Sequence, residues 1–157
     1  MTQAESIWKP NVTVAAMIER DGRFLLVEEE TDDGIRFNQP AGHLDEGESL
    51  VEACAREALE ETAWHFQPTA LVGVYQWPRP QGDITYLRFA FAGELGEEEV
   101  GRALDTGILR AVWLTLGEIE ACRERHRSPL ILRCVHDWLA RRRFPLDLIR
   151  HYGDSRG

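Results

Sequence analysis

Apolar residues along the chain fall into short runs that turn-forming residues separate. Residues 12–19 and 24–27 are mostly apolar, which is typical of buried β-strands, and Asp21 with Gly22 marks a turn between them. The second run is predicted to return as a strand after that turn. Residues 35–39 are predicted to be extended, and Pro40 is expected to end regular strand pairing because it has no N–H to donate.

A β-hairpin is predicted from the runs at residues 71–77 and 85–91. The segment 78–83 between them, PRPQGD, is rich in residues that break regular structure. In the second run apolar residues occupy alternate positions, so Tyr86 and Arg88 share the opposite face of the strand.

Later in the chain the pattern predicts a short strand at residues 111–115 and helices at residues 116–125 and 128–142. With a further helix ahead of the hairpin, these elements predict an α/β (α+β) fold, in which a mixed β-sheet is flanked by helices. No repeat or linker interrupts the pattern, so we expect one domain over residues 1–157.

Composition narrows the classes of function. The chain is 43% hydrophobic and 29% charged, and its net charge of −9 argues against a broad nucleic-acid surface. No apolar run is long enough to span a membrane, and the N-terminus does not resemble a signal peptide, so we expect a cytoplasmic protein. The three cysteines form no CxxC pair and lie in apolar segments, which predicts buried thiols rather than zinc ligands or disulfides.

The segment AGHLDEGESLVEACAREALEETAW, residues 41–64, combines a glycine loop with a predicted helix. Ser49 is a suitable N-cap residue, and Glu52 lies where a capping box requires a glutamate. The helix is expected to run to about Ala63. Its small and apolar residues form one stripe that is predicted to pack on the sheet, namely Val51, Cys54, Ala55, Ala58, Leu59 and Thr62.

Three glutamates of this helix, Glu57, Glu60 and Glu61, have the spacing that brings side chains to one patch. A solvated charged face is the ordinary explanation for such a group. The glycines of the preceding loop, Gly42 and Gly47, favour another one, because glycine lets the backbone approach a ligand closely. Magnesium prefers oxygen ligands and is commonly shared with substrate phosphates, so the segment predicts a Mg²⁺ site.

The same residues resemble the signature of the Nudix hydrolases, G-x5-E-x7-R-E-U-x-E-E-x-G-U, in which U is a bulky aliphatic residue. Six specified positions match at the required spacing, namely Gly42, Glu48, Arg56, Glu57, Glu60 and Glu61. Ala63 replaces the final glycine, Trp64 replaces an aliphatic residue, and Ala58 is small for its position. These departures concern helix termination and packing, and they remove no carboxylate.

The resemblance implies a Nudix α/β/α sandwich and a metal-dependent attack of water on phosphorus. It implies that magnesium, with manganese as a possible substitute, is held by the Gly42 carbonyl, Glu57, Glu60 and Glu61, and that Arg56 orients Glu57. Glu48 is expected to support the loop or to reach the metal through water. The general base stays open among residues outside the helix and Glu57 itself; the outside candidates are Glu94, Asp105 and the run Glu28, Glu29 and Glu30.

Further stretches, among them FNQPAGHL at residues 37–44, resemble one bacterial branch of the family. That branch consists of phosphatases that act on hydroxymethylpyrimidine diphosphate, thiamine diphosphate and nucleoside di- and triphosphates, with release of orthophosphate. A nucleotide pyrophosphohydrolase is the main competing enzyme. A Nudix-like module that binds a diphosphate without turnover is the alternative from another class, and the intact carboxylates favour an enzyme.

Substrate contacts are predicted around the loop and the hairpin. Phe37, Trp77 and Tyr86 are candidates for stacking on a ring, although aromatic residues on strands more often pack in a core. Hydrogen bonds to a ring edge are predicted for Asn38 and Gln39, and contacts to phosphate for His43 and Arg88, with a surface ion pair as the alternative for Arg88. The expected partner is a small di- or triphosphate, with no nucleic acid or membrane, in a monomer or small homo-oligomer.

Overall fold

Two β-sheets and three helices make up the computed structural model, which describes residues 6–153. The strands are β1 (Asn11–Met17), β2 (Glu19–Arg20), β3 (Arg23–Thr31), β4 (Gly34–Asn38), β5 (Ala41–His43), β6 (Trp64–Pro78), β7 (Thr85–Glu98), β8 (Ile108–Thr115) and β9 (Phe144–Pro145). The helices are α1 (Leu50–Thr62), α2 (Leu116–Ala121) and α3 (Leu130–Leu139). None of the helices in residues 6–153 is long and apolar enough to cross a membrane.

The larger sheet has the strand order β5-β1-β7-β6-β9 and is mixed, because β1 runs parallel to β7 while its other neighbour, β5, is antiparallel. The smaller sheet is built on β3, which pairs with β2, β4 and β8. The predicted hairpin is present as β6 and β7, and both strands extend well beyond the predicted runs. The expected class, a mixed sheet flanked by helices, is confirmed.

Residues 24–27 return as a strand after the turn at Asp21 and Gly22, as predicted, since Phe24 pairs with Glu19 of β2 and the Leu25 N–H donates to the Ile18 carbonyl. The returning strand does not pair with β1. Both edges of β1 are already occupied, since Thr13 pairs with His43 on one side and with Arg88 on the other. The chain therefore leaves the larger sheet after Met17, and the returning segment joins the smaller sheet as part of β3.

Strand pairing also resumes directly after Pro40, contrary to expectation, with β5 at Ala41. Proline lacks only the N–H, and the Pro40 carbonyl still accepts a hydrogen bond from the Ala16 N–H at 2.9 Å. The helix predicted at residues 116–125 is interrupted at Cys122 and continues as a 3₁₀ turn. The last predicted helix is shorter than expected, and Arg141, with φ of 63°, lies just beyond its end.

Two apolar clusters cover the two faces of the larger sheet. One joins that sheet to α3 through residues that include Ile131, Cys134 and Val135. The other joins it to α1 through Ala53, Cys54 and Ala58. The arrangement is the α/β/α sandwich, with α1 held against the sheet near β5. All three cysteines are free thiols; Cys54 and Cys134 are buried as predicted, whereas Cys122 is only half-buried.

Candidate active site

The helix α1 begins and ends as local sequence dictates. The Ser49 hydroxyl accepts from the Glu52 N–H, and the Glu52 carboxylate accepts from the Ser49 N–H, so the predicted capping box is confirmed. Ala63 ends the helix in the left-handed conformation, with φ of 66°, at the position where the signature has glycine. An alanine can adopt this conformation at a cost of about 1 kcal/mol, so the departure from glycine leaves the helix end in place.

Burial on α1 differs from the predicted stripe in one important way. Ala55 and Leu59 are only half-buried, whereas Glu57 and Glu61 are 8% and 7% exposed. Glu57 and Glu61 are buried because β5 packs against the side of α1 that carries them. A solvated charged face is therefore excluded for Glu57 and Glu61, since buried carboxylates require compensation by a proton, a hydrogen bond or a cation.

Gly42 lies directly against the carboxylate of Glu57. A Cβ atom at position 42 would overlap the carboxylate carbon and both oxygens of Glu57. Only glycine lets the backbone of β5 and this side chain occupy adjacent space. The structure thus brings together two residues that the sequence predicted to share a metal ion.

Arg56 forms the electrostatic centre of the carboxylate group. Its Nη1 donates to Glu57 Oε1 at 2.8 Å and to Glu60 Oε2 at 3.1 Å. Its Nε and Nη2 donate to the two Glu48 oxygens at 3.0 and 2.6 Å, and Nη2 also donates to the His43 carbonyl at 3.1 Å. Such charge-assisted forks are strong and directional. The contact to Glu57 is the one that the predicted orienting role requires.

Three carboxylates converge closely enough to share a cation, two of them from the predicted set and the third from outside α1. One oxygen each of Glu57, Glu60 and Asp105 lies within 4.8 Å of the others. Asp105 is tied to the helix end because its N–H donates to the Glu60 carbonyl at 2.9 Å. Glu61 Oε1 accepts from the Ala41 N–H at 2.9 Å, and Glu61 lies with Glu57 on the cavity wall. An all-oxygen group beside a glycine backbone fits the ligand preference of magnesium.

Burial strongly disfavours the charged forms of two of these glutamates. Desolvation raises the pKa of Glu57 to about 7, and the Arg56 contact partly opposes that rise. Desolvation likewise raises the pKa of Glu61 to about 9, and the charges of Glu57 and Glu29 add to the effect. A divalent cation in the group would reverse both shifts, because it favours the ionised carboxylates.

This electrostatic arrangement predicts the pH dependence of stability without metal. Because the folded-state pKa values of Glu57 and Glu61 exceed the ordinary 4.5, the folded protein retains protons that the unfolded chain has released. Their contribution to stability is complete below pH 4.5 and is lost as pH rises through about 7 and 9. We expect Glu61→Gln to be more stable than the wild type at high pH, with the difference shrinking towards about pH 4.5.

Urea unfolding in the presence of a chelator, at several pH values for both proteins, measures that difference. Added magnesium is expected to stabilise the wild type most at high pH. A difference between the two proteins that stays constant with pH would contradict the placement of a protonated Glu61 in the metal-free fold.

A cavity of about 1150 Å³ opens between the larger sheet, the smaller sheet and the start of α3. Drug-sized ligand pockets are commonly about 300–1,000 Å³, so the volume accommodates a nucleotide-sized molecule. Glu57 belongs both to the carboxylate group and to the cavity wall. The predicted residues found on the wall are Gly42, Glu57, Glu61, Asn38, His43, Trp77, Tyr86 and Arg88.

Trp77 and Tyr86 stand side by side on this wall as a direct cross-strand pair. Their rings are nearly parallel, at 14°, with centroids 6.0 Å apart. Arg88 lies on the same face of β7 and is only 5% exposed. The alternative of a surface ion pair is wrong for Arg88, which forms no salt bridge within residues 6–153 and donates instead to neutral acceptors.

Several predicted residues lie away from the cavity. Phe37 is 5% exposed and packs in the core beneath the guanidinium of Arg125, 4.4 Å from its ring centre, so stacking on a substrate does not fit this structure. Gln39 is fully buried with both ends of its amide bonded within the protein, which leaves nothing for a ring edge. Glu94 lines a separate shallow cleft beside Leu59, away from the substrate cavity.

Glu29, from the run of candidate bases Glu28, Glu29 and Glu30, lies on the cavity wall beside Arg127, a residue that the sequence did not single out. Arg127 Nη1 donates to Glu29 Oε1 at 2.7 Å. Alternation along β3 could have separated Glu29 from Glu28, because Glu29 lies on the same face of the strand as Val27. Glu28 lies on the opposite face, where it pairs with Arg110 and Arg125. Arg127 carried no signal, since its position depends on a loop that packs on β4.

Comparison with known proteins agrees with this architecture. A family model described as the NUDIX domain matches residues 8–134. The chain is 38% identical over 143 residues to Phosphatase NudJ of Escherichia coli (strain K12), which covers 91% of this chain and 92% of that protein. A solved NUDIX hydrolase from Nitrosomonas europaea has a TM-score of 0.89 at 50% identity, covering 92% of this chain and 98% of that one.

A more distant solved structure, a MutT NUDIX hydrolase from Burkholderia pseudomallei, shares the fold, with a TM-score of 0.70 at 19% identity over 83% of this chain and 98% of that one. Fold, site and relatives together define a phosphohydrolase that acts on phosphoanhydrides. The chain belongs to the Nudix family. The expectation of an enzyme, rather than a binding module without turnover, is thereby confirmed.

Proposed function

We propose that the protein is a magnesium-dependent phosphatase that removes the terminal phosphate from small organic di- and triphosphates. The proposed substrates are hydroxymethylpyrimidine diphosphate, thiamine diphosphate and nucleoside di- and triphosphates, and manganese is a possible substitute for magnesium. The observation that carries the proposal is the position of Glu57, at once in the convergent carboxylate group and on the wall of the cavity. Similarity to a protein named Phosphatase NudJ over most of both chains supports orthophosphate as the product.

The residues proposed to hold the cation are Glu57, Glu60 and Asp105, together with Glu61 and the Gly42 carbonyl as the family signature implies. Magnesium at such a site supplies neutralisation of the phosphate oxygens and activation of the attacking water. Arg56 contributes by holding Glu57 and Glu60 in place, so that neither has to reorganise during the reaction. Among the candidate bases outside α1, Asp105 lies beside Glu57, whereas Glu94 lines a separate cleft. This arrangement favours Asp105 if a carboxylate outside α1 accepts the proton.

The organic part of the substrate is proposed to lie over Trp77 and Tyr86, on the cavity face of the hairpin. Parallel aromatic side chains with accessible faces favour a flat heterocycle. His43 follows Gly42 on the cavity wall, where we assign it a contact to phosphate. This placement puts the charged end of the substrate at α1 and the ring towards the hairpin.

A nucleoside triphosphate tests which phosphorus is attacked. We expect a nucleoside diphosphate and orthophosphate as first products, with oxygen-18 from labelled water in the orthophosphate. The products of a diphosphate substrate would not by themselves answer the question, because cleavage of its bridge yields orthophosphate whichever phosphorus is attacked. Pyrophosphate as the first product, with label in the nucleoside monophosphate, would instead support a nucleotide pyrophosphohydrolase. Repetition with a chelator and with each metal tests the metal requirement.

A further inference from the structure

Asn38 and Glu29 stand next to each other on the cavity face of the smaller sheet. Asn38 pairs with Val27 across β3 and β4, and Glu29 lies two residues further along β3 on the same face. Asn38 Nδ2 lies 3.5 Å from Glu29 Oε1, and both residues line the cavity. Glu29 is only 7% exposed, so a ligand that fills the cavity would replace the little solvent that contacts its carboxylate.

Arg88 determines which way the Asn38 amide points. Arg88 Nη2 donates to Asn38 Oδ1 at 2.7 Å, and arginine offers only donors. The amide must therefore turn its oxygen to Arg88 and its NH₂ towards Glu29 and the cavity. Arg88 is itself held from behind, because its Nη1 donates to Gln39 Oε1 at 2.8 Å and Gln39 Nε2 donates to the Ile131 carbonyl at 2.8 Å. This arrangement makes Arg88 a positioning residue rather than a phosphate ligand.

Arg127 determines the polarity of Glu29 in the same way. Its Nη1 donates to Oε1 of Glu29 at 2.7 Å, and the Asn38 contact falls on the same oxygen. Within residues 6–153, Oε2 has no hydrogen-bond partner in the protein, and no buried side-chain nitrogen or oxygen is left unpaired. Oε2 is therefore an acceptor that is open to the cavity.

We infer that Asn38 and Glu29 together read the edge of an amino-substituted nitrogen ring, such as a 4-aminopyrimidine. The Asn38 NH₂ would donate to a ring nitrogen, and Glu29 Oε2 would accept from the adjacent exocyclic amino group. Carboxylates accept from the amino group of cytosine in the same manner. The inference rests on the proposed function for the orientation of the substrate, with its phosphates at α1, and it adds the class of ring.

A role for Glu29 as the general base is the competing explanation. Loss of a general base would slow all substrates alike. Loss of an edge contact would instead change the preference between two rings that differ only in the amino group.

Binding of two ligands tests the inference without requiring turnover. The first is cytidine diphosphate, and the second is its counterpart that lacks the 4-amino group, pyrimidin-2-one riboside diphosphate. We expect the wild type to bind the amino form at least about tenfold more tightly by calorimetry, because the second ligand covers Glu29 Oε2 without donating a hydrogen bond to it. Discrimination without phosphate release would sink the proposed function and leave the inference standing.

The informative variant is Glu29→Gln. Because Arg127 only donates, the new amide must turn its oxygen to Arg127 and its NH₂ to the cavity, where it opposes the amino group of the ligand. We expect the preference for the amino form to disappear or to invert. Glu30→Gln is the matched control and should keep the wild-type preference. Glu30 is an exposed neighbour that does not line the cavity, so this position does not suit the role of general base that the sequence left open for it.

Asn38→Asp provides a second variant in case Glu29→Gln fails to fold, because it replaces the donor by an acceptor beside Arg88. We expect it to weaken binding of both ligands, which share the ring nitrogen. The inference is overturned if the wild type binds both ligands equally or binds neither, or if both folded variants keep the wild-type binding.

Discussion

Replacement of Gly42 by alanine is expected to lower turnover by about two orders of magnitude or more, which corresponds to roughly 3 kcal/mol of barrier. The new Cβ atom would overlap the Glu57 carboxylate, so either the β5 backbone or Glu57 has to move. Movement of Glu57 breaks its contact with Arg56 and separates it from Glu60 and Asp105. Displacements of this kind are costly in an active site even when the chemistry of every residue is unchanged.

Initial rates at saturating magnesium, together with the thermal midpoint, measure this effect. Gly117→Ala is the matched control, because a Cβ there meets only the Thr115 hydroxyl oxygen, 3.9 Å away, and its rate should stay close to wild type. A rate for Gly42→Ala within a few-fold of the control would mean that Glu57 does not need its observed position.

Glu57→Gln is expected to reduce turnover by about two to three orders of magnitude while the fold survives. The side chain keeps its volume and can keep its bond to Arg56, because the amide oxygen can replace the Oε1 acceptor. The substitution removes one negative charge beside Glu60 and Asp105 and replaces one carboxylate oxygen by an NH₂ group. A site for a hard cation loses one negative ligand and gains a donor, which opposes binding of the cation.

Calorimetric titration with magnesium separates loss of metal from loss of fold. We expect weaker metal binding by Glu57→Gln and an unfolding transition as cooperative as that of the wild type. The control is Glu46→Gln, which should change neither quantity. Glu46 is an exposed residue in the loop between β5 and α1, outside the carboxylate group. Metal affinity and turnover near wild type in Glu57→Gln would remove this residue from the cation site.

Local features of the site were predictable from sequence because they depend on residues close together in the chain. The capping box requires only Ser49 and Glu52, three positions apart, and the structure shows both of its hydrogen bonds. Helix geometry likewise places Arg56 beside Glu60, four positions on, and Glu57 beside Glu60, three positions on. The glycine at position 42 was recognisable because its spacing to the helix is part of a family signature.

Pairing between distant segments was not predictable in the same way. The pattern of residues 24–27 correctly indicated a buried strand, but a strand pattern does not say which strand becomes its neighbour. Residues 24–27 all pair with β8, more than eighty residues further along the chain, whereas only Phe24 pairs with the nearby β2. Phe37 illustrates the same difficulty, since its aromatic ring suits a core as well as a binding site and only the packing of Arg125 decided between them.

By itself, the sequence determined a carboxylate-rich helix, its caps and the family to which the chain belongs. Each of these depends on spacing within about twenty residues, where helix and turn geometry leave few alternatives. The tertiary structure alone decided that Glu57 and Glu61 are buried, that Asp105 joins Glu57 and Glu60, and that Glu29 faces the cavity. These facts arise from contacts between segments far apart in the chain, whose closeness depends on how the whole fold packs.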